Sequence, residues 1–116
     1  MGAGRHGGMF FSAGVADGKS GIDGLNQYAY SGNTTQPQNG DGFSVKPQKG
    51  DVFIAGGGNY GHVAIVAEVT DTSIRIAQQN MAGQGFIFDI PMSLQSNGKW
   101  RLQYGIMHVS GLLRQP

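Results

Sequence analysis

One histidine and two side-chain amides are the residues of this chain whose types and spacing could support catalysis. His62 opens an apolar segment, HVAIVAEV, and Gln78 and Asn80 close the next segment, SIRIAQQN. The polar residues 70–72 between the two segments predict a turn, and therefore an antiparallel hairpin. Pairing centred on Asp71 places residue 62 opposite about residue 80, so the imidazole and the amides should meet at one edge of the sheet.

A histidine held by an amide is the general base, with its orienting group, of a cysteine-type nucleophilic site. The amide oxygen accepts a hydrogen bond from one imidazole nitrogen, which fixes the tautomer and leaves the other nitrogen free to face a nucleophile. Gln78 could also be this acceptor, although an amide lacks the negative charge with which a Glu would stabilise the imidazolium. The chain contains no cysteine, so the nucleophile of such a site is missing.

The composition predicts a single domain spanning residues 1–116, without a strongly charged partner. The chain has 8 Lys and Arg against 7 Asp and Glu. Its basic residues are scattered, so no nucleic-acid interface is predicted. Its 21 glycines favour turns and β-structure over helices. The chain has no apolar run of about 18 residues that would predict a membrane span. The histidines lack metal-ligand spacing, and no cofactor is predicted.

The chain divides into two parts near Pro47. Residues 1–45 are rich in Gly, Asn, Gln, Ser and Thr; they predict an exposed loop over 31–42 and one weak helix over 20–30, which Gly24 disfavours. After Pro47 the pattern predicts short strands over residues 51–55, 62–69, 73–78, 85–90 and 100–109. Short strands joined by tight turns indicate an antiparallel meander that is half-rolled into a barrel.

Three motifs after residue 45 resemble the C-terminal half of a CHAP domain (cysteine, histidine-dependent amidohydrolase/peptidase), a family of the papain-like NlpC/P60 group. They are Pro-x-x-Gly-Asp-Val, Gly-His-Val-Ala-Ile-Val and Ile-Arg-Ile-Ala-x-Gln-Asn, and the resemblance covers about residues 46–110. It implies an α+β, papain-like fold with a dominant antiparallel β half-barrel and a reduced N-terminal helical part. On this interpretation residues 1–45 are loop-rich, poor in helix and shortened relative to the family.

The resemblance also implies roles for individual residues. His62 corresponds to the catalytic base, Asn80 to the polar residue near it, and Gln78 to a position where many members have a Glu that orients the histidine. Asp51, in the Gly-Asp turn, is expected to be structural. The helix that carries the family's cysteine is not identifiable, and the equivalent zone offers only Ser12 and Ser20, which lack the strong base and oxyanion hole that a serine nucleophile needs.

Two functional hypotheses remain open at this point. The first is hydrolysis of amide bonds in peptidoglycan peptides or in a related peptide–polyamine amide, by a lineage whose thiol is lost or lies outside this chain. The second is a non-catalytic module that binds cell-wall peptide or a protein partner. A strand-exchanged homodimer is a further hypothesis. The family resemblance implies a cell-envelope, secreted or phage-associated location, which the sequence alone does not decide.

Overall fold

The computed structural model describes residues 15–21, 24–55, 62–79, 85–103 and 108–116. These residues form nine strands and one short 3-10 helix, Pro37–Asn39, and they contain no α-helix. The strands are β1 (Lys19–Ser20), β2 (Asn26–Ser31), β3 (Gly42–Phe43), β4 (Val52–Ala55), β5 (His62–Val69), β6 (Ser73–Gln79), β7 (Gly85–Leu94), β8 (Trp100–Leu102) and β9 (Val109–Arg114).

Eight of these strands close into an antiparallel barrel. The strand order is β2-β3-β8-β7-β6-β5-β4-β9, and pairing of β2 with β9 completes the ring, while the two-residue β1 lies beside β2. The predicted α+β papain-like fold, with a half-barrel and an N-terminal helical part, is therefore wrong for the described residues. The physical reason is that β2 finds strand partners on both sides, and these tertiary hydrogen bonds override a weak local preference for helix.

The segment predicted as a helix, residues 20–30, shows how this happens. Gly24 has a positive φ of 75° and lies in a tight turn, after which residues 26–31 form β2. Asn26 to Ala29 pair with β9, and Tyr30 pairs with Phe43 of β3. Gln27 is buried on the other face of β2, where Gly21 packs so closely that a Cβ at residue 21 would overlap the Gln27 side chain.

The strands after Pro47 follow the sequence prediction closely. The predicted β4, β5, β6 and β7 are confirmed, whereas the predicted strand over residues 100–109 is two separate strands, β8 and β9. The barrel interior is filled by the inward-facing residues of all eight barrel strands, because successive side chains of a strand alternate between its faces. The main core cluster comprises Tyr30, Phe43, Phe53, Ala55, Ala64, Val66, Ile74, Ile76, Ile90, Met92, Leu102, Val109 and Leu112.

Tyr30 connects three elements inside the barrel. Its hydroxyl donates a hydrogen bond to the Pro37 carbonyl at 2.6 Å and accepts one from the Leu102 amide at 2.9 Å. Its ring meets Phe43 edge to face, with centroids 4.8 Å apart. Because Pro37 is buried, the 3-10 helix is part of the packed structure. The predicted exposed loop over residues 31–42 is therefore confirmed only in part, since most of its residues are exposed or half-buried but the 3-10 helix packs Pro37 into the structure.

We expect Tyr30 to make stability depend on pH in alkaline solution. Burial raises the pKa of the Tyr30 phenol above its usual value. The unfolded chain releases this proton near pH ~10. The contribution of the protonated phenol to the free energy of unfolding is therefore fully present below that pH, and it is lost as pH rises through the higher pKa of the folded state. Tyr30→Phe should cost about 1–2 kcal/mol at neutral pH because the Leu102 amide loses its acceptor.

Urea denaturation of the wild type and Tyr30→Phe between neutral pH and pH ~11 tests this expectation. The difference between the two unfolding free energies should shrink as pH rises above ~10. A difference that stays constant over this range would show that the phenol does not contribute in this way.

Candidate functional site

The backbone places two of the predicted site positions, His62 and Gln78, at one end of the barrel. His62 is the first residue of β5 and pairs with Ala55, the last residue of β4. Gln78 lies next to the end of β6 and pairs with Phe86. The structure describes the backbone but not the side chains of His62 and Gln78, and Asn80 lies outside the described residues. Their roles as base and orienting groups therefore stay predictions.

The pairing of β5 with β6 follows the predicted register over part of its length. On the side of the hairpin nearer His62, Ile65 pairs with Ala77 and Val66 with Ile76, which is the register centred on Asp71. Nearer the turn, a bulge at Ala67 shifts the pairing by one residue. The described pairs begin at Ile65 and Ala77, so the pairing of residue 62 with about residue 80 stays a prediction.

The turn that leads into β4 is held by a buried ion pair that does not involve the predicted catalytic residues. The Asp51 carboxylate accepts hydrogen bonds from Nε and Nη2 of Arg114 at 2.8 and 2.7 Å, and it also accepts one from the Gln48 amide at 2.8 Å. The Asp51 side chain is 2% exposed and that of Arg114 is 18% exposed. The expected structural role of Asp51 is confirmed.

Arg114 is the residue of this cluster that sequence reasoning missed. Its Nη2 also donates to the Lys46 carbonyl at 3.1 Å, and its guanidinium lies 4.8 Å from the centroid of the Tyr28 ring. The hydrogen bond to Asp51 raises the pKa of Arg114 further above its usual value, so the guanidinium stays charged. The only available signal was a lone arginine at the end of an apolar strand, 63 residues from its partner.

This cluster sets the position of β5 and hence of His62. Val52 follows Asp51 and pairs with Leu113, which precedes Arg114, so the ion pair fastens β4 to β9. The Gly50 amide donates to the Val66 carbonyl, and the Val66 amide donates to the Asp51 carbonyl, which attaches the same turn to β5. The height of His62 along the barrel therefore depends on this turn.

Ser20 is too far from His62 to act as its nucleophile. Ser20 pairs with Asn26, and Asn26 pairs with Arg114, so Ser20 lies level with the buried ion pair. The row of paired residues that contains Arg114 and Asp51 reaches β5 at Val66. Val66 lies four residues after His62, which is roughly 13 Å along the strand at the usual rise per residue. A nucleophile must approach its base to about 3 Å. Ser12, the other hydroxyl considered, lies outside the described residues.

Other chemical sites are few in the part of the chain that the structure describes. No group of three or more metal-ligating side chains lies close enough there to hold a metal ion. None of the helices within it is long and apolar enough to cross a membrane. A depression of about 250 Å³ lies near the turn between β5 and β6, away from His62. It is lined by Glu68, Thr70, Ser73, Arg75 and Asp89.

Comparison with protein-family models finds a match to the CHAP domain over residues 6–80. The chain belongs to the CHAP domain family. The match includes Asp51, His62, Gln78 and Asn80, and it begins well before the motifs that follow residue 45. It ends at Asn80, so β7, β8 and β9 lie beyond it. Searches of curated proteins and of solved structures gave no match.

We expect the Asp51–Arg114 pair to be a large contributor to the stability of this CHAP domain. Asp51→Asn removes the charge while keeping the shape of the side chain, and it leaves the Arg114 guanidinium largely buried without its counter-charge. Such a loss should lower the free energy of unfolding by about 3 kcal/mol. Urea denaturation measures this directly.

The matched control is Asp71→Asn. Asp71 pairs with Lys46, but its side chain is 87% exposed, and exposed pairs contribute little because water screens them. If Asp51→Asn and Asp71→Asn shifted the unfolding midpoint equally, the buried pair would not have the structural role assigned to it.

Proposed function

We propose that this chain recognises the peptide part of peptidoglycan, or a related peptide amide, at the barrel end where β5 begins and β6 ends. The observation that carries the proposal is the CHAP domain match, whose range contains His62, Gln78 and Asn80. The family takes its name from amidohydrolase and peptidase chemistry, so its members act on amide bonds.

The strand period supports placing the three positions in one site. By alternation, residue 62 shares a strand face with Ala64 and Val66, and residue 78 shares one with Ile74 and Ile76. Those four residues are buried in the barrel core. The site would therefore lie where the inner faces of β5 and β6 reach the end of the barrel, with His62 in the position of the base and Asn80 and Gln78 as its orienting groups.

We further propose that this chain binds this class of substrate and does not hydrolyse it through a thiol. It contains no cysteine, and Ser20 lies too far along the barrel to replace one. Gln78 stands where many family members have a Glu, and a neutral amide stabilises an imidazolium less well than a carboxylate does. The missing nucleophile and the missing acid both favour binding over turnover.

Amide hydrolysis at the same site is the second candidate. It is favoured by the retention of a histidine at position 62 within the family match. If it occurs, the nucleophile must be a group other than a cysteine of this chain. Binding and hydrolysis make different predictions for the same two measurements.

The first measurement is binding to purified peptidoglycan sacculi and to soluble stem peptides, with the wild type compared with His62→Ala. Binding should be saturable, and His62→Ala should weaken it by roughly tenfold, as expected for a central contact residue. Glu68→Gln is the matched control, because Glu68 lies on the same strand near its other end and is exposed. This control should bind like the wild type.

The second measurement is mass spectrometry of the same mixtures for new amine and carboxylate ends. We expect none. Peptide release by the wild type that disappears in His62→Ala would establish hydrolysis and rule out the binding-only function. Absence of both binding and product would contradict both candidates.

A further inference from the structure

The outer face of the barrel carries an apolar row that crosses four strands. Val52 of β4 pairs with Ile65 of β5, Ile65 pairs with Ala77 of β6, and Ala77 pairs with Ile87 of β7. Ile65 is 46% exposed and Ile87 is 69% exposed, and Val63, on the same face of β5 as Ile65, is 40% exposed. We call Val52, Ile65, Ala77 and Ile87 the outer row.

The sequences of β4 and β5 have the apolar composition of strands that are covered on both faces. An antiparallel strand with one face in water usually alternates apolar and polar residues, whereas VFIA and the VAIVA of β5 are continuously apolar, as in strands that are buried on both faces. On the β4 and β9 side the outer face is indeed buried, because Ile54 is 0% and Leu113 is 3% exposed. On the half formed by β5, β6 and β7, the described residues Val63, Ile65 and Ile87 are exposed.

A row of alternating charges runs beside the outer row. Lys49 Nζ lies 3.9 Å from Glu68 Oε1, Glu68 pairs with Arg75 in the strand register, and Arg75 Nε lies 2.9 Å from Asp89 Oδ1. From β4 to β7 the charges are therefore positive, negative, positive and negative. These four charges sum to zero, so this edge of the surface would not repel an identical surface.

Consider a two-fold axis that lies between two facing copies and runs parallel to the strands, midway between β5 and β6. It places each row against the same row of the second copy in reverse order, and each row is complementary to its reversed copy. Such an axis reverses the order of the strands in the facing copy. Lys49 then faces Asp89 of the second copy, and Glu68 faces Arg75. In the outer row Ile65 faces the small Ala77.

We propose that the outer face of β5 to β7, bordered by Lys49 and Val52, is the interface of a symmetric dimer with a second copy of this chain. A two-fold interface requires one patch that matches itself, and the reversed charge row supplies that match, whereas a partner surface of a single charge sign would leave half of the row unpaired. Each of β2 to β9 already has neighbours on both sides, so these strands offer no free edge, and a second copy would meet this face. The contact does not include the site at His62 and stands independently of the function proposed for it.

Sedimentation equilibrium of the full chain from micromolar to millimolar concentration tests the apolar part of this interface. The wild type should shift from the mass of one chain to that of two. Ile87→Lys should weaken dimerisation by at least about tenfold. Leu94→Lys is the matched control, since Leu94 is a 56% exposed apolar residue on the same strand but lies outside the outer row, and it should dimerise like the wild type.

A charge exchange tests the two-fold arrangement itself. Arg75→Glu alone places two acidic residues opposite each other, and Glu68→Arg alone places two arginines opposite each other, so each variant should dimerise at least about tenfold more weakly than the wild type. An equimolar mixture of the two variants restores opposite charges at both contacts and should recover the dimer. Thermal unfolding of each variant confirms that the monomer remains folded.

Three results would overturn the proposal. They are a wild type that keeps the mass of one chain at every concentration, equal effects of Ile87→Lys and Leu94→Lys, and a failure of the mixed charge variants to associate more tightly than either variant alone.

Discussion

The buried ion pair between Asp51 and Arg114 is the interaction on which the remaining geometry depends. It joins the turn before β4 to the last residue of β9, and Arg114 pairs in turn with Asn26 of β2, where the ring of strands closes. Burying two charges is costly, and the fork of an arginine on a carboxylate offsets this cost by satisfying both oxygens. A Gly-Asp turn that resembles a local motif is therefore a connection between distant parts of the chain.

Local pattern was enough to predict β5 and β6, the strands on which the site is proposed. β5 and β6 follow each other directly, so their apolar runs and the polar turn between them contain most of what determines their pairing. The bulge at Ala67 was not predictable, because it changes one residue of register without changing the apolar pattern. It lies on the turn side of the hairpin, so Ile65 and Val66, on the other side of the bulge, keep the register that simple pairing through Asp71 gives.

Closure of the barrel was not predictable for a different reason. It depends on β2, whose buried residues Gln27 and Tyr30 are three positions apart, a spacing that also fits one face of a helix. Tyr30 is buried by the core and Gln27 by Gly21 on the opposite face, so the strand has no simple alternation. Closing the ring requires β2 to pair with β9, near the other end of the described chain, and pairing over that distance in sequence leaves no local signal.

The two faces of β5 serve different purposes, and this explains its unusual composition. Its inner residues Ala64 and Val66 belong to the main core, which fixes the strand that begins at His62. Its outer residues Val63 and Ile65 add nothing to that core, because they lie on the opposite side of the sheet. A strand needed only to present a histidine could have polar residues there. The apolar outer face therefore favours a second contact, the proposed dimer interface. That contact uses the same strand but is physically separate from the site proposed at His62.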